Sequence, residues 1–232
     1  MQNKFKHNNI ISSLIREEEE IFNQIFLNSL KLDLDIHQYE VGNSKGLDSD
    51  SNSYMTDWFK NINRLMSSIP DDIKLENYHL CDVGCGLGIS TIYFQKKYNM
   101  KSYSGFDFNL DLIDVAKLIS KDLELMKNIE FEFKNANEKI LESKSYLLFM
   151  FNPFGIKTIQ CFIDNNIEVL KSKKSIIIWH AIEYFKLNGY DNIYLGEYAP
   201  EKHINNQKLN NINHFKLGFC NNVITNNYLS NE

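Results

Sequence analysis

The run His79-Leu80-Cys81-Asp82-Val83-Gly84-Cys85-Gly86-Leu87-Gly88 carries an apolar strand into closely spaced glycines and then into a helical stretch. Glycine permits a tight turn and lets a ligand come close to the backbone, so this spacing at the carboxyl end of a strand implies a ligand-holding loop. GxGxG alone also suits a plain turn. A second acid, Asp107, closes the run Tyr103-Ser104-Gly105-Phe106-Asp107 and follows Asp82 by 25 residues (107 minus 82). That is close to the ~20-residue offset at which a doubly wound fold offers a carboxylate to ribose hydroxyls. A charge at the start of the helix beginning near Leu110, shared with Asn109 as cap, is the plainer use of the same residue.

Two neighbours narrow what the loop holds. A dinucleotide site of the GxGxxG kind needs its third glycine at position 89, where this chain has Ile89, and it seats a pyrophosphate on the helix N-terminus. Asp82 opposes a pyrophosphate and attracts a ligand bearing ammonium and sulfonium charges. S-adenosylmethionine carries both and has no phosphate.

Further along, Leu147-Leu148-Phe149-Met150-Phe151-Asn152-Pro153-Phe154-Gly155 delivers Asn152 and Pro153 to the same edge of the sheet. His180 follows the apolar run Ile176 to Trp179, with Glu183 nearby. An imidazole with a pKa near ~6.5 suits removal of a proton from an acceptor. Methyl transfer from a sulfonium needs in-line approach by a lone pair, so positioning does much of the work. No Ser/His/Asp nucleophile set, GxxxxGK[ST] phosphate loop or HExxH metal signature is present.

The elements that must position these residues alternate. Strands are expected at His79 to Val83, Ser102 to Phe106, Ile129 to Lys134, Tyr146 to Phe151 and Ser175 to Trp179. Helices are expected at Ser90 to Tyr98, Leu110 to Leu125 and Ile159 to Leu170. Repeated strand-then-helix predicts an α/β fold with a doubly wound, mostly parallel sheet. Before it, Leu14, Ile21, Ile25, Phe26 and Leu30 recur at helical spacing. The segment Gly42 to Ser53 reads as a link, and a second helix from Thr56 or Asp57 to about Ser68 ends before Pro70. Residues 1–70 are thus a helical lead-in or cap, and 71–232 the Rossmann-like ligand-binding domain, in one compact unit. Further strands are expected at Ile193 to Tyr198 and His214 to Val223.

Composition bounds the class. A 43% hydrophobic content over 232 residues is enough for a sizeable core. A net charge of -5 argues against a broad phosphate-binding face and so against a nucleic-acid partner. Lys171, Lys173 and Lys174 read as a solvated turn. Four scattered cysteines do not form a disulfide framework, and Cys81 and Cys85 lack the spacing and partners of a zinc site, so no metal is expected. Neither a signal peptide nor a span of ~20 apolar residues is seen, which predicts a cytoplasmic protein with no membrane partner. The oligomeric state is open.

The chain resembles the class I S-adenosylmethionine-dependent methyltransferases, in an Asn-Pro-Phe-Gly variant. The resemblance covers roughly Tyr54 to Trp179 and is carried by DVGCGLG at Asp82 to Gly88, GFDFN at Gly105 to Asn109 and FNPFG at Phe151 to Gly155. It implies a seven-stranded sheet capped by the N-terminal helices. It further implies that Asp82, Gly84, Cys85, Gly86 and Gly88 hold the methionine part of the cofactor, and that Asp107 and Phe108 flank its ribose. Asn137, in Asn135-Ala136-Asn137, takes the place of the polar residue that meets adenine. Tyr54 and Thr56 approximate a Tyr-x-x-Thr-like stretch whose hydroxyls reach the cofactor carboxylate. Asn152 stands in the family's fourth motif, beside both cofactor and acceptor. Phe154 replaces the second proline of the Asn-Pro-Pro-aromatic form, which argues against a nucleic-acid base or protein glutamine as acceptor. The expected acceptor is a small polar molecule such as a sugar or another metabolite, with oxygen slightly favoured over nitrogen. The rival readings are a nicotinamide-dependent oxidoreductase and a noncatalytic scaffold.

Overall fold

The computed structural model describes residues 17–32, 54–67, 69, 71–125, 129–180 and 222–225. Its sheet contains β1 (His79–Val83), β2 (Ser102–Asp107), β3 (Ile129–Phe133), β4 (Tyr146–Phe151), β5 (Ile176–His180) and β6 (Asn222–Thr225), in the order β3-β2-β1-β4-β5-β6. The first five run parallel, and β6 lies antiparallel to β5. Helices are α1 (17–30), α2 (Phe59–Met66), α3 (Ile89–Lys97), α4 (Leu110–Asp122) and α5 (Ile156–Ser172). The doubly wound α/β expectation holds, with N-terminal helices present. Among the described residues the sheet has six strands where seven were expected. The expected strand at 193–198 lies outside the described residues, and of that at 214–223 only the end falls within β6.

Strand composition explains the layering. β4, Tyr-Leu-Leu-Phe-Met-Phe, is apolar on both faces because both are covered. On one face Leu80, Phe149, Ile176 and Ile178 pack with Phe59 and Ile62 of α2, Ile92 and Phe94 of α3, and Ile113 of α4. On the other, Val83, Leu148, Met150, Ile177 and Trp179 pack with Ile159, Phe162, Ile163 and Leu170 of α5. The order reverses at β1, which has β2 on one side and β4 on the other. Such a switch point opens a crevice at the carboxyl ends of the strands.

β2 and β3 differ. Ser-Tyr-Ser-Gly-Phe-Asp and Ile-Glu-Phe-Glu-Phe alternate polar and apolar residues, the pattern of strands with one wet face. The crossover from β3 to β4 contains only the short 3-10 turn Ala136–Glu138. Ser102, Ser104, Glu130 and Glu132 therefore line an open groove of about 740 Å³ rather than a helix interface. Asn166 of α5, 1% exposed, secures that crossover. Its Oδ1 accepts from Leu141 N–H at 2.7 Å, and its Nδ2 donates to the carbonyls of Lys139 (2.9 Å) and Phe162 (2.8 Å).

The face of α1 corrects the sequence expectation. Phe26 and Leu30 turn to the core, joined by Phe22. Ile21 and Ile25 instead stand 54% and 64% exposed, while Glu19 and Asn23 are buried. The reason is polar: Glu19 pairs with Arg64 of α2, and Asn23 bonds to the backbone at the start of α2. Leu14 lies outside the described residues. The lysine cluster is the expected solvated turn, with Lys173 and Lys174 exposed. No helix among the described residues is long and apolar enough to cross a membrane.

Replacing Asn166 by Ala leaves a buried N–H without its acceptor, which costs ~1–3 kcal/mol together with the lost bonds. Urea unfolding of Asn166→Ala should show that loss as a lower midpoint. An unchanged midpoint would mean that Asn166 is not what holds the β3–β4 crossover.

Candidate functional site

The loop after β1 is fastened to the end of β2. Gly84 and Cys85 both donate their N–H groups to Phe106 O, at 2.9 and 3.1 Å. Gly86 N–H donates to Asp107 Oδ2 at 3.0 Å, and the other Asp107 oxygen accepts from Asn109 N–H at 2.8 Å. With about four lone-pair sites in all, the carboxylate still has acceptor capacity beyond these backbone N–H groups. Asn109 caps α4 by accepting from Asp111 and Leu112 N–H, so Asp107 is left to the loop and the crevice. Phe108, half-buried, links the two.

Gly84, Gly86 and Gly88 adopt φ of +73°, +52° and +70°, the left-handed region that side chains rarely enter. Packing forbids a Cβ as well. One at Gly84 would stand 2.3 Å from Pro153 Cβ, one at Gly86 2.1 Å from the Tyr54 ring, and one at Gly88 2.2 Å from the Phe131 ring. The expectation was that glycine serves ligand approach, but here protein side chains take much of the close approach. These contacts bring Tyr54 and the Asn152-Pro153 turn onto the loop. Tyr54 Oη and Thr56 Oγ1 are hydrogen-bonded to each other at 3.1 Å.

Asp82 lies within β1, 3% exposed, and accepts from Thr91 Oγ1 of α3 at 2.7 Å. Burial pushes its carboxyl up to about 7; the Thr91 hydrogen bond opposes this, and the carboxylates of Asp107 and Asp57 reinforce it. Burial also raises Asp107, against the pull of the backbone N–H groups of Asn109, Gly86 and Phe108. Cys85, 5% exposed, has its thiol raised well above its ordinary value by burial and by the charges of Asp82 and Asp107. Three buried acids thus bear on one loop, an arrangement that suits a cationic ligand and repels a pyrophosphate. Asp57 and Thr91 escaped the sequence reading. Asp57 adjoins the Tyr54 to Thr56 stretch, and Thr91 is a hydroxyl in the first turn after the glycines.

Asn152 leaves β4 with φ +41°. Among the described residues the other non-glycine positive φ values fall at Lys31, Glu124 and Lys174, each just beyond a helix end. Asn152 alone of the four stands at a strand end over the crevice, where a sparsely populated conformation often accompanies function. Phe154 is buried in the α5 core, so the departure from a second proline serves packing. His180 ends β5 in register with Phe151, one residue before Asn152. Glu183 lies outside the described residues. Asn137 is exposed on the 3-10 turn after β3; its N–H donates to Asn135 Oδ1 and its carbonyl accepts from Asn165 of α5 at 3.0 Å. No group of three or more His, Cys, Asp or Glu gathers to hold a metal among the described residues.

Comparison with known proteins adds the following. Residues 74–216, more than half of the chain, match the family model described as a methyltransferase domain. No curated protein matches significantly. The solved StiE O-MT matches at 13% identity and a TM-score of 0.41, over 55% of this chain and 44% of that one. An RNA methyltransferase from Salinibacter ruber in complex with S-adenosyl-L-homocysteine matches at 16% and 0.42, over 59% of this chain and 88% of that one. TrmK from M. capricolum, in complex with the same product, matches at 17% and 0.38, over 56% and 54%. The chain spans about half the length of several of the solved structures it matches.

The raised Asp82 value has a definite sign. A carboxyl whose folded pKa is about 7 against an ordinary 3.8 favours the folded state most below pH 3.8, and loses that contribution as pH rises through 7. Asp107 moves the same way. Melting temperature of the ligand-free protein should therefore fall between about pH 4 and pH 8, and Asp82→Asn should flatten much of the slope. A variant with the parental slope would show that Asp82 is already ionised in the fold.

Proposed function

The chain belongs to the methyltransferase-domain family, and from that premise we propose that it moves the methyl group of S-adenosylmethionine onto a small polar acceptor, a sugar or another metabolite, with oxygen favoured over nitrogen. The observation that carries this reading is the Asp107 carboxylate, held by Gly86 and Asn109 N–H groups at the switch-point crevice beside the glycine loop. Asp107 accepts from the ribose hydroxyls with its remaining lone pairs, flanked by Phe108. Asp82, Gly84, Cys85, Gly86 and Gly88 surround the methionine part, and the buried acids offset its ammonium. Tyr54 and Thr56 present hydroxyls to its carboxylate, and Asn137 an amide to the adenine edge.

When bound, the cofactor supplies an electrophilic methyl group on a sulfonium. Asn152 orients the acceptor by accepting from its hydroxyl or amino hydrogens, and His180 takes the proton that the acceptor loses. The Asn-Pro-Phe-Gly form, with Phe154 committed to the core, and the net charge of -5 support a small acceptor over a nucleic-acid base. The buried acids and Ile89 weigh against a nicotinamide cofactor. Residues 71–232 form the catalytic unit in this reading, with 1–70 as its cap. The free thiols Cys81, Cys85 and Cys161 fit a cytoplasmic setting.

Calorimetry with S-adenosylmethionine, S-adenosylhomocysteine, NAD and NADP should show micromolar binding of the two adenosyl ligands alone. Asp107→Ala should weaken that binding ~10–100-fold, the worth of a hydrogen bond to a charged group. Transfer of labelled methyl should then be sought in pooled sugars and metabolites and, in parallel, in tRNA. Label entering RNA alone would overturn the small-acceptor reading, and binding of NAD or NADP alone would overturn the cofactor.

A further inference from the structure

Helix α2 starts without help from its own N-cap residue, since Trp58 makes no side-chain cap bond. The first N–H groups of a helix need acceptors from outside it. Asn23, 36 residues earlier on α1, supplies one: its Oδ1 accepts from Phe59 N–H at 2.9 Å. Its Nδ2 donates to Asp57 O, also at 2.9 Å. The side chain thus grips the backbone on both sides of Trp58, at the point where residues 54–58 leave α2 and cross the glycine loop.

What lies on that segment gives the grip its reach. The Tyr54 ring covers Gly86, Tyr54 bonds Thr56, and the buried Asp57 bears on the charge of Asp82. Behind the grip, Glu18 pairs with Lys60 and Glu19 with Arg64, while Phe26 packs edge-on to Phe59 and Tyr93 at 4.7 and 4.9 Å. α1 buries Asn23 and Glu19 while leaving Ile21 and Ile25 in solvent. The core-facing side of α1 therefore mixes the apolar Phe22, Phe26 and Leu30 with the polar Asn23 and Glu19.

We propose that Asn23 is a positioning residue for the cofactor site, setting the affinity for S-adenosylmethionine by holding the Tyr54–Asp57 segment on the glycine loop. The proposal rests on the cofactor reading given above. It makes α1, which carries none of the expected cofactor contacts, part of the binding machinery.

A double-mutant cycle separates this action from a general loss of stability, because residues that act through one another are not additive. S-adenosylhomocysteine affinity would be measured by calorimetry for the parent, Asn23→Ala, Tyr54→Ala and the double variant, with a cooperative melt required of each. Asn23→Ala is expected to weaken binding about tenfold, and in the Tyr54→Ala background to weaken it no further. Asn23→Asp, which keeps the acceptor for Phe59 N–H and loses the donor to Asp57 O, should fall between parent and Ala, and replaces Asn23→Ala in the cycle if that variant does not fold. Unchanged affinity, or full additivity with Tyr54→Ala, overturns the positioning of Tyr54 by Asn23. A parent that binds neither adenosyl ligand overturns the cofactor reading itself, an outcome distinct from either.

Discussion

The glycine loop keeps its shape because one carboxylate reaches back to it. Asp107 ends β2, and its two oxygens take the N–H of Gly86 on one side and of Asn109 on the other. Together with the two N–H groups that Gly84 and Cys85 give to Phe106 O, this joins the ends of β1 and β2 beyond the last ladder bond. The start of α4 depends on the same tie, since Asn109 can cap the helix only from where Asp107 leaves it. A charged acceptor bonded by neutral N–H groups is among the stronger hydrogen bonds available to a chain. The loop, the crevice and one helix start therefore rise or fall together.

Around that tie the protein gathers contacts from three distant segments. Tyr54 comes from before β1, Phe131 from β3, Pro153 from after β4, and each lies where a Cβ would otherwise be. The walls are aromatic or cyclic and the floor is acidic. Asp57, Asp82 and Asp107 are all within a tenth of full burial, and burial raises the carboxyls of Asp82 and Asp107, so these two tend to keep a proton until an opposite charge arrives. Shape and charge thus specify different things: the glycines fix the backbone path, and the acids fix the sign of what can lie beside it.

Much of this was legible in the residues. β1 and β4 fall at their expected limits because an apolar run ended by Gly84, or by Asn152-Pro153, leaves little freedom in where a strand stops. The place of Asp107 at the end of β2 was legible in the run Tyr103-Ser104-Gly105-Phe106-Asp107 that it closes. Periodicity could not tell which side of α1 faces inward, because Asn23 and Glu19 are buried by partners 34 to 45 residues away that no local pattern reveals. Thr91 and Asp57 were missed for the same reason, being partners of Asp82 through the fold alone. The alternation Ile-Glu-Phe-Glu-Phe already announced a half-wet β3, yet the absence of a helix after it emerges only when the crossover is seen.

That half-wet strand bears on what the edge of the sheet offers to a second chain. β3 is the end strand of the described sheet, and an end strand exposes a row of backbone groups to which a second chain can add its own. Glu130 and Glu132 place two carboxylates on the face turned to the groove, and Lys139 answers Glu132 across it. A foreign strand docking there would have to bring its side chains past these charges. Among the described residues no strand pairs with β3 on its outer side, and the charges disfavour strand-by-strand addition there.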